Sequence, residues 1–383
     1  MRISRKLGAI LAVIFAISAA AAAQQLPSQM EVRLLEETIL LEGLDPVLLI
    51  QGKEAQGKFE LAVTRGHFKY LFARAETKAA FEKNPEKYEV QMGGLCARMG
   101  TATRGSADLY AVYDGKIYLF GTPTCKTDFL KAPEQFLNKP AAELKASRRA
   151  AQKGRALLEQ AVEALGGAAK IDSINSYRQQ GKRILNTQDG PAESPVALMW
   201  VRSGRVREER SFGPTHVATV LTADDAFSVV RNQQRTFFNE LSPAQRAYDM
   251  MAYFDRTLLR VLQARNAPGF RVAALDAAEV GGARVERVAI QVQGINLTLG
   301  IDPATHRVHS MSYQDRGSGG IVAELTELYS DYRGVGGLVL PFKVTVMAGG
   351  EEIAQRSYTL ASIAINPPLE ASLFARPEEA RKR

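Results

Sequence analysis

Cys96, Cys125 and His67 are the residues whose types could build a transition-metal site, and the 383-residue chain has only two cysteines and four histidines. A soft-metal site needs three or four converging ligands, and these three would have to meet. Compartment favours another outcome. Two cysteines in one small region of an exported chain pair first as a disulfide. A Cys96–Cys125 bridge would close a loop of about 30 residues and stabilise by roughly 3–4 kcal/mol in the chain-entropy model. Two free buried thiols are the third reading. His306 and His309 lie in "DPATHRVHS", with no cysteine and no suitably spaced glutamate nearby, and there Asp302 with Pro303 reads as a turn start. Ser211, His216 and Asp224 have the types of a nucleophile, a base and an orienting acid, but they surround one predicted hairpin, where exposed polar residues are ordinary. No nucleophile elbow, His-Glu-x-x-His or phosphate loop is present in the sequence. The glycines of Arg316–Gly320 and Gly334–Gly337 precede no helix signal and read as bulges or turns. The expectation is a protein that is not an enzyme and carries no cofactor.

The elements that must position these residues follow from pattern. Composition is that of a folded chain, with 46% hydrophobic and 23% charged residues, and the length predicts two domains. Arg2, Arg5 and Lys6 precede an uncharged run from Leu7 to Ala23, which reads as a secretory signal peptide over residues 1–23. Its removal takes the formal net charge from +8 to +5. That mild excess, with no basic run interleaved with aromatics, gives no reason to expect nucleic acid as a partner. No later apolar run is long enough to span a bilayer, so the mature chain is expected in the periplasm.

"YLFARAETKAAFEKNPEKY" (Tyr70–Tyr88) and "YLFGTPTCKTDFLKAPEQF" (Tyr118–Phe136) align without a gap at an offset of 48 residues. Each copy reads as a strand, a short helix and a Pro-marked turn. "LYAVYDGKIYLF" alternates around Asp114-Gly115, a favoured hairpin turn. Such a unit buries little alone, so two copies are expected to share one core around Phe72, Phe81, Phe120 and Phe129. Lys139 to Leu165 has strong helix propensity, and Gly166-Gly167 stops it. From Tyr177 to Phe374 alternating strands dominate, among them those carrying Val196, Leu198 and Trp200 and then Phe342, Val344 and Val346. Their meander order implies one large antiparallel sheet. One helix interrupts it, with Ser242 as N-cap, Pro243 first, and Ala247, Met250, Met251, Phe254, Leu258 and Val261 on its apolar face.

Two resemblances organise the chain. Residues 43–136 resemble the YHS domain of exported bacterial proteins, through "LDPV" (Leu44–Val47), the repeated segment, "GGLCA" (Gly93–Ala97) and "DGKIYLF" (Asp114–Phe120). Metal-binding relatives carry cysteines where this chain has Ala73, Thr77, Gly121 and Cys125, so one of four thiolates remains. Residues 157–377 resemble the curled half-barrel of periplasmic lipoprotein carriers, through Ala164–Gly181, Tyr332–Val346 and Ala361–Pro377. The resulting plan is α+β: a signal peptide (1–23), a YHS-like domain (31–137), a helical linker (138–156) and a half-barrel covering helices (157–377). The resemblance implies binding of a lipid or lipoprotein acyl chain, with a possible envelope protein as partner. Leu198, Trp200, Phe227, Phe237, Phe254 and Phe342 are the candidate liners, and core filling is the competing role for each. Metal handling by the YHS-like domain and a purely structural envelope role are the alternatives.

Overall fold

The computed structural model describes residues 38–137, 143–187, 190–241, 243–316 and 321–381. The expected signal peptide and the Ser242 cap lie outside the described residues. No helix among the described residues is long and apolar enough to cross a membrane.

Residues 38–137 fold as two small sheets with short helices. Strand β1 (Thr38–Ile39) precedes helix α1 (Pro46–Ile50), β2 (Lys58–Arg65), β3 (Phe68–Phe72), α2 (Ala75–Lys83) and α3 (Pro85–Tyr88). Then come β4 (Leu95–Cys96), β5 (Gly100–Arg104), β6 (Ser106–Tyr113), β7 (Lys116–Phe120) and α4 (Pro123–Lys131). The sheet orders are β1-β3-β2 and β5-β4-β7-β6. The sequence repeat is a structural repeat: β2, β3 and α2 recur as β6, β7 and α4 with the same spacing. Asp114 and Gly115 both adopt positive φ, as the expected hairpin turn requires.

The expected single aromatic core is instead two clusters. Phe72 and Phe81 pack with Tyr70, whereas Phe120 and Phe129 pack with Tyr118 and Cys96. Strand alternation is the reason. Ile117 and Leu119 of β7 point into the first cluster, and Tyr118 and Phe120 into the second. β7 is therefore buried on both faces and joins the two repeat copies.

Asp45 of the "LDPV" segment anchors this unit. It is fully buried. Its Oδ1 accepts from the Val47 and Leu48 amides at the start of α1, at 2.9 and 3.2 Å. Its Oδ2 accepts from the Ala73 amide and the Thr77 hydroxyl at the start of α2. Ala73 and Thr77 thus hold a carboxylate between the two helix starts.

Helix α5 (Arg148–Ala164) is capped by Ser147, whose Oγ accepts from the Ala150 amide, and α6 (Ala168–Asp172) follows it. The helix begins nine residues after the expected Lys139 start, since the Ser147 cap sets its first turn. Gly166 and Gly167 turn the chain with positive φ. At Gly154 the helix lies so close to the sheet that a Cβ would stand 2.6 Å from the Ala274 amide nitrogen.

The remaining strands form one antiparallel sheet. They are β8 (Ser176–Thr187), β9 (Gly190–Val201), β10 (Arg205–Phe212), β11 (Thr215–Leu221), β12 (Ala226–Arg231) and β13 (Thr236–Glu240), then β14 (Arg271–Val280), β15 (Ala283–Val292), β16 (Ile295–Ile301) and β17 (Val308–Arg316). They end with β18 (Val322–Val335), β19 (Leu338–Ala348), β20 (Glu351–Glu352) and β21 (Tyr358–Ile365). The path runs β13-β12-β11-β10-β9-β8-β21-β19-β18-β17-β16-β15-β14, with β20 paired to β19. β13 and β14 are edges that do not pair with each other, so the sheet curls without closing.

The chain between those edges makes a helical strap, and its helix is not continuous as the periodicity predicts. Helix α7 (Pro243–Met250) passes into a π-helical turn (Met251–Asp255), and α8 (Leu258–Gln263) follows. The Arg256 amide reaches back to the Met251 carbonyl at 2.9 Å. The wider turn rotates the helix face, and such turns recur at functional sites. Phe254, Leu258 and Val261 enter the main core, which also takes Trp200, Leu299 and Leu325 from the sheet.

Asp45→Ala is expected to destabilise residues 38–137 by roughly 3 kcal/mol, because a cap and two further buried donors lose their acceptor. The readout is the denaturant midpoint of the full chain followed by tyrosine fluorescence. Asp45→Asn, which keeps an acceptor oxygen, should lose less, and an unchanged midpoint for the alanine variant would remove Asp45 from this role.

Candidate functional site

A cavity of about 1320 Å³ lies between the concave face of the sheet and the strap. One stretch of its wall is apolar: Leu198 and Trp200 of β9, Leu340, Val344 and Val346 of β19, and Leu258 of α8. Trp200 stacks on Tyr177 with ring centroids 5.3 Å apart and meets Phe254 edge-on at 5.7 Å.

Of the six expected liners, only Leu198 and Trp200 are in this wall. The other four are placed by strand parity and strap geometry. Phe227 projects from the convex face, where it stacks on Phe238 at 5.2 Å and packs with Phe374. Phe237 is partly buried and stands on the Asn239 side of β13, outside the wall. Phe254 lies behind Trp200, covered by the Arg260 guanidinium at 4.2 Å. Phe342 is buried under the Arg333 guanidinium at 4.5 Å.

The rest of the wall is strongly polar, which the sequence reading did not anticipate. In one cluster Asp315, almost wholly buried, receives Arg256 at 2.9 Å, Arg356 at 3.3 Å and the Tyr248 hydroxyl at 2.9 Å. Burial alone would raise the Asp315 carboxyl, but Arg256 and Arg356 outweigh it and hold the group below the usual carboxylate range. Beside it Glu327 accepts from the Tyr313 and Tyr329 hydroxyls at 2.7 and 2.6 Å. Burial, then the nearby Glu327, push both phenols well above their ordinary value.

A second cluster in the wall holds Arg183, Glu208, Arg210, Asp249 and Tyr253. Burial pushes the Glu208 carboxyl up to about 7, although Arg210 and Arg183 pull it down. Asp249 is pushed up to about 6 by burial, against Arg210. Arg210 Nη1 donates to the Tyr253 hydroxyl at 3.0 Å and stands 3.7 Å from Glu208 Oε2. A sequence signal for this corner exists in "VREERS". Val206, Glu208 and Arg210 share one strand face, so two charges follow a core residue onto the concave side.

The small N-terminal unit reaches the cavity. Arg104, at the end of β5, is part of its wall. Arg316 Nη1 donates to the Ala97 carbonyl at 3.0 Å. Gly100 makes room for that arginine, since a Cβ there would stand 2.6 Å from Arg316 Cδ.

The expected ligand set of the N-terminal unit is not assembled. Cys96 and Cys125 are free thiols, so the expected bridge is not formed. Cys96 is sealed in the Phe120–Phe129 cluster, whereas Cys125 sits at its rim on the first turn of α4, where Thr122 Oγ1 accepts from its amide. His67 lies in the turn between β2 and β3 of the other sheet, against Phe68, with ring centroids 3.9 Å apart. Burial and then Arg104 lower its pKa, opposed by Glu240. No group of three or more His, Cys, Asp or Glu side chains suited to a metal is found among the described residues.

Ser211 and His216 do meet, with Oγ and Nδ1 2.7 Å apart, as cross-strand partners in β10–β11. They lie on the convex face, opposite Glu208 and Arg210. Asp224 follows the far end of β11, roughly 25 Å away by strand rise, so no triad forms. His309 Nε2 pairs with the Val280 carbonyl at 3.0 Å, and Asp302 Oδ1 accepts from the Ala304 and Thr305 amides as a turn residue.

No protein-family model matches the chain, and no curated protein matches it by sequence. Among solved structures it is similar to an outer membrane lipoprotein-sorting protein domain from Vibrio parahaemolyticus, with 14% identity over 61% of this chain and 100% of that one, TM-score 0.36. It is also similar to a DUF1329 family protein from Desulfovibrio piger, with 12% identity, 59% and 98% coverage, TM-score 0.36. A LolA superfamily protein from Nitrosomonas europaea gives 10% identity, 58% and 97% coverage, TM-score 0.37.

The raised Glu208 carboxyl makes stability depend on pH. Between its ordinary 4.5 and about 7 the folded chain keeps a proton that the unfolded chain has released. This contribution is complete below the lower value and is lost as pH rises through the upper one, roughly 3 kcal/mol in all. Glu208→Gln is expected to be more stable than the parent at about pH 8 and near equal to it at about pH 4.5. Urea midpoints at the two pH values check this, and parallel pH profiles would contradict it.

Proposed function

We propose that the chain is a non-catalytic periplasmic binding protein for an amphipathic ligand, whose apolar chain lies along the Leu198–Trp200–Val344 wall. The observation that carries this reading is the open cavity between the curled sheet and the strap. A structural envelope protein would fill that space with its own side chains. Binding sites of this kind are concave, with placed polar groups beside an apolar wall, and here the polar groups gather in two clusters. In this reading the YHS-like unit is a cap held by Arg316 and Arg104 rather than a metal handler.

Glu208 and Asp249 favour one second reading, acid–base chemistry, because both carboxyls are pushed toward neutral pH. No histidine or cysteine is in the cavity wall, which leaves those carboxyls without the partners of a nucleophile relay.

Trp200 is the chain's single tryptophan and stands in the wall, so it reports binding directly. Titration with hexadecanol or palmitate is expected to shift its emission saturably. Val217→Phe, which fills the cavity from a partly exposed wall position, should weaken binding about tenfold, or ~1.4 kcal/mol. No emission shift and no adduct by native mass spectrometry would overturn the reading. Turnover of an ester analogue that Glu208→Gln abolishes would replace it with the second one.

A further inference from the structure

The two charged clusters of the cavity differ in one respect. In the Asp315 cluster the arginines are committed: Arg256 and Arg356 bind the carboxylate, and Arg356 also donates to the Arg316 carbonyl at 2.7 Å. In the Glu208 cluster they are not. Arg183 Nε, Arg183 Nη2 and Arg210 Nε are buried and have no hydrogen-bond partner, and neither does Glu208 Oε2. Arg183 makes only a long Nη1 contact to the Gln355 carbonyl at 3.4 Å and lies over the Phe212 ring at 5.0 Å. Glu208 does not occupy the fork of Arg210, from whose Nη1 it stands 3.7 Å.

Buried donors are nearly always satisfied in native proteins, and each one left unmade costs free energy. Three unpaired guanidinium nitrogens against one unpaired carboxyl oxygen call for a ligand rich in acceptors. A planar or tetrahedral oxyanion supplies several lone pairs in the geometry that guanidinium groups match. We propose that Arg183 and Arg210 hold the oxyanion of the ligand's head group, a carboxylate or a phosphate, while its chain runs along the Trp200 wall.

This proposal rests on the binding reading above, and it names the head group of that ligand. Glu208 supports it. Its carboxyl is pushed up to about 7 by burial, so near neutrality it is in good part a neutral hydroxyl donor, not a repelling charge. Tyr253, already bonded to Arg210, fixes that guanidinium from the strap side. Asp249, on the same strap, is a further carboxyl near Arg210.

The test compares four probes of equal chain length on the full chain, followed by Trp200 emission and native mass spectrometry: palmitate, hexadecyl phosphate, hexadecanol and hexadecylamine. One or both of the anions are expected to bind at least tenfold tighter than hexadecanol, and the tighter of the two identifies the head group as carboxylate or phosphate. An Arg183→Gln/Arg210→Gln double variant should lose that ratio while keeping its hexadecanol affinity. Arg183→Lys, which keeps the charge and loses the fork, should fall between, and it keeps the proposal testable if the double variant does not fold. Equal binding of hexadecanol and both anions would overturn the anion site and leave the chain-binding reading standing. Tightest binding of hexadecylamine would overturn it in favour of a cation held by Glu208 and Asp249. Failure of all four to bind would overturn both.

Discussion

A carboxylate taken out of water inside a sheet must be fully paired or protonated, and Asp315 is fully paired. Its partners come from three separate parts of the chain: Arg256 and Tyr248 from the strap, Arg356 from the turn before β21, and the amide of its own neighbour, Arg316. That neighbour carries the contact to Ala97 of the small unit. Strap, sheet and N-terminal unit therefore meet at two adjacent residues. A paired, hydrogen-bonded cluster of this kind gains little net stability over apolar packing, but removing one partner is costly. What it supplies is position: it fixes where the strap crosses the concave face, and hence how much space remains beneath it.

The repeat in residues 70–136 was legible because its units keep one spacing, and the structure returns the same offset strand for strand. The sharing of the core was not legible as predicted, since aromatic content alone does not say which face of β7 each residue takes. The same limit governs the cavity wall. Leu198 and Trp200 lie on the concave side because β9 presents its even positions there, whereas Phe227, at an odd position of β12, meets the convex side. Parity within a strand is visible in sequence, but which parity faces inward depends on pairing across the whole sheet. Phe254 takes the competing role of core residue, together with Leu258 and Val261 on the apolar face that the spacing predicts. The π-helical turn inside the strap is what a 3.6-residue period cannot express.

Of the three outcomes weighed for the cysteines, free thiols are the one the structure shows. Cys96 and Cys125 belong to one apolar cluster, yet His67 lies in the turn between β2 and β3 of the other sheet, and strand order cannot be inferred from ligand type. The Ala73 amide and the Thr77 hydroxyl donate to Asp45, and these bonds tie the start of α2 to the start of α1.

An antiparallel sheet that curls without closing must cover its concave face with something else. Here the interrupted strap shares that work with α5 and α6, whose Leu158, Val162 and Ile171 enter the same core as Phe254, Leu258 and Val261, and the cavity is the space left beneath the strap. The uncovered surface is then amphipathic by construction. Apolar residues remain where the strap leaves a gap, and charged residues remain where strap and sheet both bring polar side chains. In the Asp315 cluster the charges neutralise one another and tie elements together. In the Glu208 cluster the same residue types are present without the complementary pairing, and burial shifts the carboxyls instead of binding them. A polypeptide that needed these groups only for stability would gain by pairing them as it pairs Asp315, so the open valences at Arg183 and Arg210 are better understood as directed at something outside the chain.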